Sequence, residues 1–236
     1  MQYYMITTSQ IVNNRVNFFD DELHHIFKVM RMRKNDELIC VDYQLKVKYL
    51  CCISDDNEIV IVKEISEDNE LKNNLVLAFG LVKSDKLEFV IQKASELGVK
   101  KFIPLIMKNS IIKVNDDKVN KKMLRWQKIS KEACEQARRN TIMEISQPLT
   151  ISELLKHQQT INLVAYENAA QGLKIRDYYQ ANKDCLIVVG PEGGISNEEI
   201  TILEANGFQQ VSLGKRILRC ESAAISSLSI LVDLME

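Results

Sequence analysis

The chain has 236 residues, 46% hydrophobic and 27% charged, with three prolines and eight glycines. That length holds one large domain or two small ones, and the composition excludes global disorder and supports a sizeable core. The formal net charge of −1 argues by itself for no polyanionic partner, but between Lys83 and Arg139 fifteen Lys and Arg stand against seven Asp and Glu; such a basic sector fits a polyanion or merely solvated helix faces.

The first residues, Met1–Thr8, contain no basic n-region and no long apolar run, so no signal peptide is expected and the chain reads as cytoplasmic. No stretch approaches the roughly 20 apolar residues of a membrane span. Up to about residue 70 the sequence favours short strands: Asp36–Asp42, Val47–Ile53 and Glu58–Lys63, separated by turns such as Ser54–Asn57. A short helix over Asp20–Val29 interrupts them. Strands at this spacing suggest a small β-barrel over residues 1–70, followed by a polar linker, Ser66–Asn74, and a second domain over 74–236.

From Leu75 strands and helices alternate. Strand Leu75–Val82 precedes a helix over Lys86–Leu97, with Asp85 and Glu88 in capping-box spacing and Gly98 as its stop. Strand Lys101–Met107 contains Pro104, which argues for an edge or irregular position. A long helix is expected over Asn120–Arg139, then strand Ile161–Ala165, a helix near Leu173–Ala181 and strand Cys185–Val189. Helix Asn197–Ala205 opens on the box Ser196-Asn-Glu-Glu199 and ends before Gly207. Strand Gln210–Leu213 and a helix over Ser222–Leu234 close the chain. This order predicts βαβ units and a mostly parallel sheet, with ligands at the carboxyl ends of its strands.

Two glycine turns lie at such ends: Val189-Gly-Pro-Glu-Gly-Gly194 and Leu213-Gly214, the second followed by Ile217 and Leu218. Together they read as two walls of one pocket, with glycine backbone to hydrogen-bond a ligand and apolar surface against a flat heterocycle. The spacing is not G-x-G-x-x-G, and Glu192 in the turn would repel a pyrophosphate. A ligand with a positive centre or a ribose hydroxyl suits the turn better. A plain strand-to-helix connection remains open. Arg216, Arg219 and Glu221 bracket the start of the last helix, as reaction-site groups or as an ordinary helix-start ion pair. Arg138 and Arg139 are phosphate forks or helix-end cations. Lys28–Lys34, with Arg31 and Arg33, is a basic run in an acidic region. The six cysteines form no C-x-x-C pair and read as small buried hydrophobes. His24, His25 and His157 have no ligand spacing, so no metal is expected, and His24 or His25 is more readily a packing residue than a base. No nucleophile–base arrangement is readable.

Several segments match one family in order. These are His25-Ile-Phe-Lys-Val-Met-Arg-Met-Arg-Lys-Asn-Asp36, Gln92-Lys-Ala-Ser-Glu-Leu-Gly98, Glu132-Ala-Cys-Glu-Gln-Ala-Arg138, Gly190-Pro-Glu-Gly-Gly-Ile-Ser-Asn-Glu-Glu199 and Leu213-Gly-Lys-Arg-Ile-Leu-Arg-Cys-Glu-Ser-Ala223. With them the chain resembles the ribosomal RNA small subunit methyltransferase E family of the SPOUT superfamily. It departs at Cys220 and Ser222, where that family usually has threonine.

The resemblance implies an α/β SPOUT domain with a trefoil knot, a PUA-like N-terminal β-barrel and a homodimer whose sites use both subunits. It implies methyl transfer from S-adenosylmethionine to N3 of a uridine in 16S rRNA of the assembled small ribosomal subunit. The cofactor would lie on Val189, Gly190, Pro191, Glu192, Gly193 and Gly194 and, opposite, on Leu213, Gly214, Ile217, Leu218 and Cys220. Arg219 and Glu221 are the candidate catalytic residues, and Arg31, Arg33, Arg138 and Arg139 the candidate RNA contacts. Two rivals are a catalytically silent rRNA-binding assembly protein of the same fold and a doubly wound nucleotide-binding enzyme. The missing G-x-G-x-x-G and Glu192 argue against the second.

Overall fold

Two kinds of hydrophobic pattern build two separate sheets. The computed structural model describes residues 1–110, 116–169 and 173–236; Lys113 of the basic sector lies outside them. The chain falls into two units, Met1–Glu70 with Cys134–Ile142, and Leu71–Ala133 with Met143–Glu236.

In the first unit, β1 (Gln2–Ile6), β2 (Ile11–Val12), β3 (Arg15–Val16), β4 (Glu37–Asp42), β5 (Val47–Ile53) and β6 (Ile59–Ile65) pair in the order β1-β4-β5-β6-β3-β2. Only β1 and β4 run parallel within it. Alternate side chains such as Tyr4, Ile6, Leu38, Cys40, Cys51 and Ile53 fill its core. Asp42 is buried at the end of β4 because it closes the turn into β5. Its carboxylate accepts from Thr8 Oγ1 at 2.6 Å and from the amides of Gln44 and Leu45 at 2.9 and 3.1 Å. The helix expected over Asp20–Val29 is α1 (Asp20–His24), continued by a wider π-type turn over His25–Val29.

In the second unit β7 (Leu75–Gly80), β8 (Lys101–Ile106), β9 (Glu144–Ile145), β10 (Leu149–Thr150), β11 (Ile161–Ala165), β12 (Cys185–Val189) and β13 (Gln209–Val211) form a sheet of order β10-β8-β7-β12-β11-β13, with β9 on β8. Every pairing in it is parallel. β7 and β12 are buried along their whole length, as expected of continuous apolar runs covered on both faces. The helices are α2 (Ser84–Glu96), α3 (Asp116–Gln136), α4 (Ile151–Leu154), α5 (Ile175–Tyr178), α6 (Asn197–Ala205) and α7 (Cys220–Met235). Helix α5 is shorter than the sequence suggests, and α7 starts two residues earlier.

Three local expectations change. Pro104 lies inside the sheet, opposite Phe79 of β7, so of its two expected positions the edge gives way to the irregular one. The Phe102 carbonyl accepts from Ser146 N on the other side, so Pro104, two residues on, turns its missing N–H the same way. That side is the gap between β9, which pairs with residues 101–102, and β10, which pairs with 105–106. The proline therefore deprives no ladder partner of a donor. Helix α2 begins at Ser84, so Asp85 and Glu88 lie within it and form no box; Glu88 instead takes a two-pronged bond from Arg125, 2.6 Å on each arm. Helix α3 stops at Gln136, and Arg138 (φ 59°) turns the chain left-handed before Arg139.

Candidate active site

The carboxyl ends of β11, β12 and β13 open onto a cavity of about 470 Å³. That size suits a cofactor-sized ligand, and the position is where parallel sheets bind ligands. One wall is the loop after β12. It is locked by the box that the sequence predicts: Ser196 Oγ accepts from Glu199 N at 3.3 Å, and Glu199 Oε2 accepts from Ser196 N at 2.9 Å. Glu199 Oε1 also accepts from Lys108 N at 2.8 Å, which ties the loop to the end of β8. The second wall runs from Leu213 to Cys220, the first residue of α7.

Val189, Gly190, Pro191, Glu192 and Gly194 line the cavity from the first loop, and Leu213, Gly214, Ile217, Leu218 and Cys220 line it from the second. Gly193 does not. Its carbonyl accepts from Asn109 Nδ2 at 3.0 Å, and a Cβ there would meet Asn109 Cβ at 2.9 Å. It packs against Asn109 instead. Arg219 lines the cavity, whereas Glu221 sits behind its wall, linked through Cys220. Sequence reasoning missed Lys86, at the start of α2, and Ala165, Tyr166 and Glu167, just past β11. The carboxyl-end rule pointed to the β11 residues; nothing local pointed to Lys86.

Burial pushes the Cys220 thiol up to about 12, helped by its bond to Glu221 and the charges of Glu221 and Glu192. Cys220 is thus a neutral donor, 3.1 Å from Glu221 Oε2. A donor survives where the family usually has threonine. Burial also pushes the Glu221 carboxyl upward, but a backbone hydrogen bond, the Cys220 thiol, Lys86 and Arg219 outweigh it and hold it below the usual carboxylate range.

The arginines divide. Arg31 and Arg33 are exposed in the first unit, the Arg33 amide bound to Asp36 Oδ2 at 2.7 Å. Arg138 is exposed, its guanidinium 5.5 Å over the Tyr3 ring. Arg139 is corrected: it is 2% exposed and grips Glu70 through Nε (3.2 Å) and Nη2 (2.7 Å), so its fork is spent on a carboxylate and not offered to phosphate. His25 Nδ1 lies 3.0 Å from the Tyr4 hydroxyl in the first unit. The six cysteines are all free thiols. Among the described residues no group of three or more His, Cys, Asp or Glu is placed to hold a metal, and no helix is long and apolar enough to cross a membrane.

A family profile described as an RNA methyltransferase domain matches residues 69–232, and one described as an RNA methyltransferase PUA domain matches 20–65. Fold and site therefore define an RNA methyltransferase. The ribosomal RNA small subunit methyltransferase E of Bacillus subtilis (strain 168) is 34% identical over 97% of this chain and 94% of its own. That of Mesomycoplasma hyopneumoniae (strain 232) is 38% identical over 86% and 87%. The chain belongs to the ribosomal RNA small subunit methyltransferase E family. The crystal structure of the Neisseria gonorrhoeae member, bound to S-adenosyl methionine, superposes with a TM-score of 0.89 at 28% identity, covering 99% of this chain and 98% of that one. These matches bear out the α/β methyltransferase fold and the PUA-like first unit that the resemblance implies.

Proposed function

We propose that this chain transfers the methyl group of S-adenosylmethionine to N3 of one uridine in 16S rRNA of the small ribosomal subunit. The observation that carries the reading is the two-loop cavity at the ends of β11, β12 and β13. Its lining fits the cofactor: Val189, Leu213 and Leu218 offer apolar surface to adenine, and Glu192 and Glu167 bring carboxylates to a wall that also carries Lys86, Lys215, Arg216 and Arg219. When bound, S-adenosylmethionine supplies an electrophilic methyl on a positively charged sulfur. The protein's contribution is then mostly positioning. The Arg219 guanidinium, exposed on the wall, is placed to stabilise negative charge on a uracil oxygen as the N3 proton leaves. Glu221, held ionised behind the wall, acts on the cavity through Cys220 and its charge rather than by direct contact. Arg31, Arg33 and Arg138 hold phosphates and so fix register rather than read sequence.

The homodimer, the composite site and the knot are what the family resemblance implies, and a cytoplasmic location is inferred from the six cysteines, all free thiols. The test is methylation of small subunits lacking the modification, with the nucleoside identified by mass spectrometry. 3-Methyluridine is expected, and its absence overturns the reading. Failure to bind S-adenosylmethionine in calorimetry would favour the silent assembly protein instead.

A further inference from the structure

Lys86, in the first turn of α2, lines the cavity and pairs with Glu192 on its first wall and with Glu221, which sits behind the second. Its Nζ stands 3.4 Å from Glu192 Oε1 on the first loop and 3.8 Å from Glu221 Oε2 at the start of α7. The three side chains are 28%, 21% and 18% exposed, so solvent screens them only in part. Elements far apart in sequence thus meet in one charge triad, a single ammonium between two carboxylates. Arg219, Lys215, Arg216 and Glu167 are the other charged residues on the wall.

The ligand proposed above carries a positive sulfur before transfer and a neutral one after it. A triad of net negative charge distinguishes these two forms, and its cation sets by how much. We propose that Lys86 is a positioning residue that joins the two cavity loops through Glu192 and Glu221 and sets the cavity's preference for a sulfonium over the corresponding neutral thioether. This inference rests on the S-adenosylmethionine reading of the cavity. Removing the ammonium leaves two facing carboxylates with a net charge more negative by one unit. That change attracts the sulfonium more strongly and leaves the thioether nearly indifferent.

The test is calorimetric titration of the full chain with S-adenosylmethionine and with S-adenosylhomocysteine, in the wild type, Lys86→Met and Lys86→Arg, at low and high salt. Thermal melts of each variant check that it is folded. In Lys86→Met the ratio of the two affinities should move toward the sulfonium by roughly threefold or more, and the shift should shrink as salt rises. Lys86→Arg should restore the wild-type ratio. Equal weakening of both ligands, with the ratio unchanged, would show that Lys86 only holds the loops and would overturn the proposal. A wild type that binds neither ligand would overturn the cofactor reading and the proposal with it, so the two failures are told apart.

Discussion

Glu70 and Arg139 show what a buried ion pair costs to break. Arg139 is 2% exposed and Glu70 accepts its fork, while the Asn140 and Thr141 amides donate to Glu70 Oε1 at 2.8 and 3.0 Å. Burial pushes the Glu70 carboxyl up, but the Arg139 fork and charge, with the Asn140 amide, hold it below the usual range. Glu70→Gln should therefore destabilise by about 1.5–3 kcal/mol at neutral pH, because it removes the carboxylate that holds Nε and Nη2 of a buried guanidinium. A carboxylate depressed by folding contributes stability above its unfolded pKa and loses it as pH falls through the folded value. The gap between wild type and Glu70→Gln in urea melts should accordingly be full at pH 7 and close progressively below about pH 4. Arg138 has the opposite character. Its carbonyl accepts from Lys48 Nζ at 2.9 Å and Asn69 Nδ2 at 3.0 Å, contacts that survive truncation of the side chain. Arg138→Ala should thus leave the fold and cofactor affinity intact, weaken rRNA binding, and lower the slope of log affinity against log salt by about 1. Unchanged rRNA affinity would refute its role.

At the scale of elements, the first cavity loop is shaped by its neighbour strand. β7 ends on Gly80, where a Cβ would stand 2.5 Å from both Cδ and N of Pro191. Ring and backbone atoms cannot yield as a flexible side chain does, so Gly80→Ala must push the loop from its place. Overpacking of this kind costs about 1–3 kcal/mol. We expect S-adenosylmethionine affinity to fall roughly tenfold or more if the loss falls mainly on the binding-competent loop; calorimetry beside a thermal melt separates the two effects. A mutant that binds as tightly as wild type would show that the loop does not need this approach. Local signals explain which features were legible in sequence. The Ser196–Glu199 box, the buried β12 run and the alternation of strands and helices each depend on residues within a turn or two, so composition and period reveal them. Pro104, Gly193 and Lys86 depend on which distant segment lies beside them: the gap between two short strands, the Asn109 side chain, and two loops about a hundred residues downstream. No local pattern encodes those neighbours.

For the whole chain, the same limit applies to the division into units. The polar stretch Ser66–Asn74 reads as a boundary, yet Cys134–Ile142 belongs with Met1–Glu70. The reason is polar as much as apolar. Glu135 Oε1 accepts from Met5 N at 2.8 Å, and Asn140 is buried while donating to the carbonyls of Glu67 (2.8 Å) and Lys46 (3.2 Å) and accepting from Asn69 N (3.0 Å). The chain thus returns after α3 to complete its first unit. Removing residues 1–73 would leave Arg139, Asn140 and Glu135 without these partners. Without them segment 134–142 loses the contacts that order it and the end of α3 frays. A chain cut to 74–236 should therefore melt well below the full chain, by about 10 °C or more on the scaling for domains of this size. The complementary piece 1–70 should also fail to fold as the full chain's first unit does, since the Met5 amide and the buried Lys48 ammonium lose Glu135 and the Arg138 carbonyl. Adding back a peptide spanning residues 134–142 should partly restore the stability of 1–70. If 74–236 instead melts at the temperature of the full chain, the segment after α3 is carried by the second unit alone and the linker read from sequence is the true boundary.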